Sequence, residues 1–123
     1  MKISPRKSLR AIFYTLNTPM NQHKFSIGLA DSPQCDCLFR EESSSHYFLD
    51  CFLYSPERRS LFDLVEHYIP KFSNLKKSQK LDIILRGYKI ENSEYIGLNT
   101  TLTIAVQKFI LQTKRFYSPS THL

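Results

Sequence analysis

The sequence predicts a mainly α fold: a small zinc-stabilised helical domain with a finger-like Cys/His loop. Three observations predict it. Apolar residues recur at helical spacing over residues 55–116, all three cysteines fall in one short window with a histidine, and 123 residues suit one domain. A chain of this length can bury roughly 65% of the surface that its unfolded form exposes. Hydrophobic residues make up 41% and charged residues 23%, close to the soluble globular average, so the composition argues against wholesale disorder.

The elements follow in chain order. Leu9, Ile12, Phe13 and Leu16 recur at helical spacing between Pro5 and Pro19, which predicts a basic amphipathic helix or arm over residues 1–20. Residues 21–54 form the Cys/His segment. The next helix starts at Ser55, whose hydroxyl can cap, with Pro56 at the first helical position, where an amide needs no partner. Leu61, Leu64, Val65 and Tyr68 place one stripe against a core and leave Arg58, Arg59, Asp63 and Glu66 wet, and Pro70 ends the helix. A second helix over 78–86 shows Leu81, Ile84 and Leu85 on one face, with Gly87 free to end it in the left-handed region. A third begins near Ser93 and carries Leu98, Leu102, Ala105 and Phe109, with Lys108, Lys114 and Arg115 opposing the dipole at its end. Residues 117–123 read as a disordered tail.

Net charge is +6, but it is unevenly spread: +5 over residues 1–30, −5 over 31–66 and +6 over 67–123. Any attraction to a polyanion therefore comes from the basic flanks and not from the acidic middle. The candidate phosphate contacts are Lys2, Arg6, Lys7 and Arg10 in one flank and Lys76, Lys77, Lys80 and Arg86 in the other. No apolar run approaches the roughly 20 residues of a membrane-spanning helix, and none follows the basic start as in a secretory signal. The expected location is intracellular, in cytoplasm or nucleus, with no membrane partner.

The chemistry lies between Cys35 and Cys51, in the pattern C-x-C-x8-H-x4-C. Three thiols and one imidazole are the donor set of a closed tetrahedral zinc site, so Cys35, Cys37, His46 and Cys51 are the expected ligands. Four protein ligands leave no position for water, which makes the site structural. A bend at Asp36 must bring the first two sulfurs to one side. His46 and Cys51 are about 140° apart on an ideal α-helix, so one regular helix cannot carry both. The expected solution is a short turn capped by Ser44 or Ser45, unwinding at Cys51, with Tyr47, Phe48 and Leu49 packed beneath.

Several stretches resemble the C-terminal zinc-binding region of non-LTR (LINE-type) retrotransposon reverse transcriptases. They are residues 21–25 (NQHKF), 28–33 (GLADSP), the Cys-x-Cys pair, 46–49 (HYFL), Cys51, Leu53-Tyr54, and 57–62 (ERRSLF). Similar but less specific stretches follow at 81–85, Gly87, 105–110 and 113–116. The resemblance implies that the same four Cys/His residues are the family's ligands, in a segment that helps hold element RNA or target DNA; the expected partner is RNA or single-stranded DNA. It also implies a departure: family members commonly have Gly after the second Cys, where this chain has Leu38. No Asp-Asp pair occurs in the chain, so the two-metal site of a polymerase is missing and a non-catalytic fragment is expected.

Other catalytic readings are weaker. Cys51 and His67 lack a marked orienting carboxylate or oxyanion hole, and ligation uses the same thiol. Asn99-Thr100-Thr101 matches a glycosylation sequon, but reads better as the start of a helix. Two functions follow as expectations: a zinc-dependent nucleic-acid-binding module, or a zinc-stabilised structural or protein-interaction domain, including a remnant with no nucleic-acid role.

Overall fold

The computed structural model describes residues 19–116; the expected helix over 1–20, all but its last two residues, and the tail at 117–123 lie outside the described residues. Within 19–116 the order is α1 (Asn21–Ser26), a long irregular loop, a π-helical turn (His46–Asp50), α2 (Ser55–Tyr68), α3 (Lys77–Arg86) and α4 (Ile96–Thr113). Three short 3₁₀ turns precede α2, α3 and α4, and no strand occurs among the described residues.

Helix α2 has the expected bounds but a different start. Pro56 sits in the first turn as its missing amide allows, while the Ser55 hydroxyl turns back to donate to the Phe52 carbonyl at 3.0 Å instead of capping. Leu61 and Val65 are buried, but Tyr68 is exposed and Ile69 takes its place in the core, because the helix has already unwound before Pro70. Arg58 overturns its expected wet position and is buried. Helix α3 buries Ile83, Ile84 and Leu85, and ends at Gly87 with φ +111° and an extended ψ of 177°, not in the left-handed helical region. A Cβ at Gly87 would lie 2.7 Å from the Asn99 side chain, so close approach as well as positive φ requires glycine. Asn99 in turn brackets Tyr88, accepting from its amide at 2.7 Å and donating to its carbonyl at 2.8 Å, so the sequon asparagine serves the α3–α4 connection.

Helix α4 packs along α2 and supplies Leu102, Val106, Phe109 and Ile110 to the core. Tyr47 and Phe48, both fully buried, sit on this floor as expected, with Leu49 packed at the edge. The Tyr47 ring meets Phe48, Tyr54, Phe109 and Phe116 edge-on at centroid distances of 4.8 to 5.6 Å, and its hydroxyl bonds Thr113 at 2.6 Å. Such pairs add about 0.5–1.5 kcal/mol each beyond area burial.

Arg115 does not serve the α4 dipole as expected. Beyond the left-handed Lys114 it folds back onto Glu42, a carboxylate with no exposed surface. The guanidinium grips both carboxylate oxygens, Nε to Oε2 at 2.6 Å and Nη2 to Oε1 at 2.5 Å, and reaches Asn21 Oδ1 at 3.2 Å. The Asn21 amide donates to the same carboxylate at 2.9 Å, and the Glu42 amide donates to the Pro33 carbonyl at 2.7 Å. One ion pair thus ties α1, the Cys/His loop and the end of α4. The Glu42 bonds raise the Arg115 pKa above its ordinary value.

Removing one partner of a buried bidentate pair strands the other charge, at a cost of about 3–5 kcal/mol. Glu42→Ala is expected to destabilise the metal-loaded protein by about that much, and Arg115→Met in the same background to recover part of the loss. Urea unfolding of the two single variants and the double variant checks this; additive losses would contradict the pairing.

Candidate metal centre

Cys35 and Cys37 stand on a tight hairpin turn. The Leu38 amide donates to the Cys35 carbonyl at 2.9 Å, and the Cys35 amide donates to the Phe39 carbonyl at 3.0 Å. Leu38 closes the turn at φ +77°. This is the three-residue hairpin loop with a G1-type bulge, whose third residue must be left-handed. The bend at Asp36 brings the two sulfurs to one side as the spacing predicts.

The opposite wall solves the five-residue offset of His46 and Cys51 by widening the helix. The Cys51 amide bonds the His46 carbonyl at 2.7 Å in an i→i+5 turn, which sets residue 51 over residue 46. The cap is Ser43, whose hydroxyl accepts from the His46 amide at 3.1 Å, and not Ser44 or Ser45, which are already helical. At Cys51 the backbone leaves the turn with an extended ψ of 121°, as expected.

The buried Arg58 side chain locks this wall. Its Nε donates to the Phe48 carbonyl at 2.9 Å, and its Nη2 donates to the carbonyls of Tyr47 at 3.0 Å and Cys51 at 2.7 Å. The carbonyls at the end of a helical turn lack intrahelical donors, and one guanidinium supplies them here. Burial lowers the Arg58 pKa, opposed by its nearness to Cys51 and the surrounding acids. A dication held by three thiolates and an imidazole carries a formal charge of −1, which this buried cation balances.

The four donors converge. One ligand atom from each of Cys35, Cys37, His46 and Cys51 lies within 4.8 Å of the other three. The Cys35 and Cys51 sulfurs are 3.7 Å apart, and Cys37 Sγ is 3.2 Å from His46 Nε2. Two thiolates bonded at about 2.3 Å to a tetrahedral ion are about 3.8 Å apart. The donor set and the sulfur–sulfur edge fit such an ion, and the wider-set donors need only a modest inward movement. Cys35, His46 and Cys51 are buried, and the Phe39 ring stacks on His46 at 4.5 Å, 9° from parallel.

Without a cation, burial pushes the Cys35 thiol up to about 12 and raises Cys51 as well. Burial also acts upward on Cys37, but bonds to the Phe39 amide and to the other two thiols outweigh it and leave that thiol below its ordinary value. Burial lowers the His46 pKa, which keeps a neutral imidazole available for ligation. A cation replaces these protons, so metal binding and protonation compete.

The other predicted residues are dispersed. Lys76 stands at the N-terminal boundary of α3 and Lys77 and Lys80 follow in its first turn, but Arg86 lies at the far end of the helix. Lys77 pairs with Asp50 at 3.0 Å and Arg86 with Asp82 at 3.0 Å. Lys2, Arg6, Lys7 and Arg10 lie outside the described residues. Sequence reading missed Arg58, Glu42 and Arg115. Glu42, four residues after Leu38, carried no local signal at all.

Searches of protein-family models, curated proteins and solved structures find no match to this chain. Among the described residues, no helix is long and apolar enough to cross a membrane.

The purified protein is expected to hold one metal ion per chain by native mass spectrometry, and Cys51→Ser to abolish that stoichiometry. Chelation should lower the melting temperature by about 10 °C or more, because metal affinity is coupled to folding. Leu38→Gly removes a strained left-handed side chain and should strengthen metal binding by about 1 kcal/mol, roughly fivefold, in chelator competition. Unchanged affinity would show that the turn stores no strain.

Proposed function

We propose that the protein is a non-catalytic, zinc-binding, nucleic-acid-binding module, similar to the C-terminal region of a LINE-type reverse transcriptase, in which zinc fixes the fold. The observation that carries the reading is the closed set of three thiols and one imidazole on two rigid walls. Thiolate-rich tetrahedral sites select zinc over harder cations, and a fourth protein ligand leaves no water to activate. Its role is to pin residues 35–39 to residues 46–51 in a loop with no sheet to hold it.

The nucleic-acid part rests on charge placement. Lys76 and Lys77 stand at the start of α3, where a cation opposes the helix dipole, and no acid occupies that turn. Cations there gain nothing from the dipole, whereas a phosphate would meet both the lysines and the positive end of the helix. RNA or single-stranded DNA is the partner this favours, with little sequence preference and no membrane role, inside the cell in cytoplasm or nucleus.

A second reading is favoured by the ion pairs. Lys77 and Arg86 already face Asp50 and Asp82, which reduces the field available to a polyanion and suits a zinc-stabilised structural or protein-interaction domain, or a remnant without nucleic-acid function.

Salt dependence separates the readings. Each phosphate contact to a single strand contributes about 0.7 to the log–log slope, so replacing Lys76, Lys77, Lys80 and Arg86 with Gln should remove up to about 3 units while zinc content stays intact. His46→Ala should weaken binding in step with unfolding. Absence of salt-sensitive binding by the wild-type chain, or equal binding by the four-Gln variant, would leave the second reading.

A further inference from the structure

A cleft of about 550 Å³ opens beside the ligand cluster, between the hairpin tip at Leu38 and Phe39 and the wall at His46 and Phe52, with Asp50 and Lys77 also in its lining. Three of these side chains are apolar and turned to solvent: Leu38 is 76% exposed, Phe52 67% and Phe39 46%. Single exposed apolar residues are ordinary, but three around one cleft mark a surface that meets a partner. Leu38 sharpens the point. Its left-handed φ of +77° strains a side chain, and the turn alone would be better served by glycine. That strain gains no burial within the chain, so the leucine side chain has no role in the fold to set against it.

We infer that this cleft takes an unpaired base of a single-stranded nucleic acid, with the base against Phe52 and Leu38 and an adjoining phosphate at Lys77 and the start of α3. The inference rests on the nucleic-acid reading and names the place where a strand is held by its bases. Cations decide for a base over an apolar peptide. Lys77 lines the cleft, Lys76 precedes it at the same helix start, and the Arg40 guanidinium lies 5.8 Å from the centre of the Phe39 ring. Aromatic side chains interleaved with cations suit a single strand of almost any sequence, because every base has a flat face to stack and a phosphate beside it. The one acid in the lining, Asp50, is held by Lys77 at 3.0 Å and does not stand as a lone charge against the strand. An apolar peptide would use Phe52 and Leu38 but none of these cations. The walls of the cleft are the two that the Cys/His ligands join, so a bound ion would set its width.

Fluorescence anisotropy of the metal-loaded, full-length chain with two labelled probes tests it. One probe is a mixed-sequence DNA strand, and the other is an abasic deoxyribose-phosphate strand of the same length and charge. The wild type should bind the strand with bases about fivefold or more tightly than the abasic one. Phe52→Ala should remove most of that preference while abasic binding and the salt slope stay as they are, and Phe52→Tyr, which keeps a ring, should retain it. Leu38→Gly should lower affinity for the strand with bases by about twofold or more while metal content is kept, an outcome that a purely structural role for Leu38 does not produce. Circular dichroism and metal content verify that each variant folds. Equal binding of the two strands by the wild type, or a Phe52→Ala variant with the full preference, would overturn the inference and leave the nucleic-acid reading on phosphates alone. Failure to bind either strand would overturn both and leave the cleft to a protein partner.

Discussion

The buried Arg58 guanidinium is the interaction on which the rest of the architecture depends. It holds the carbonyls of Tyr47, Phe48 and Cys51 together, and with them the π turn whose width decides whether His46 and Cys51 share a side. An α-helical turn would place these two donors about 140° apart and leave no tetrahedron to build. The wider turn is intrinsically poor, since π-helical geometry is rare and appears mostly as single turns at functional sites. It persists here because Arg58 supplies the missing donors and because Tyr47 and Phe48 are clamped by Tyr54 and Phe109. The same cation lies next to the buried thiolates that ligation would create. Structural support and charge balance thus come from one residue on the first turns of α2.

The metal centre and the Glu42–Arg115 pair divide the work of holding the irregular loop. A metal ion bound at the Cys/His cluster would fix the two ends of the segment around Cys35 and Cys51. Glu42, midway along it, is fixed to the end of α4 and to Asn21. With such an ion bound, a loop without sheet or long helix has three anchors. Its least favourable residue is Leu38, left-handed and 76% exposed, which gains no burial in return for its strain.

Helices α2, α3 and α4 were legible in the sequence because their periodicity is local: Leu61 and Val65, or Leu102, Val106 and Phe109, declare a face within a few turns. The ligand set was legible because three cysteines and a histidine cluster in one window. The need for a bend at Asp36 and for a break between 46 and 51 followed from stereochemistry, whereas the special turn at 38 was pointed to only by the family resemblance. What could not be read were pairings between distant charges. Arg58 looked like the neighbouring Arg59, since nothing in a charged residue's own neighbourhood tells whether it will be drawn inward to carbonyls. Glu42 and Arg115 are 73 residues apart, so only the folded chain reveals that they neutralise each other.

That distinction bears on how charge is counted. The segment charges of −5 and +6 suggest an acidic middle between basic ends, but ion pairs cross the boundary: Glu42 is neutralised by Arg115, and Asp50 by Lys77. Arg58 is also withdrawn from the surface, facing carbonyls and the ligand cluster. Among the described residues, the field presented to a polyanion is therefore set by the cations outside these pairs, Lys76 and Lys80 among them, and not by net charge.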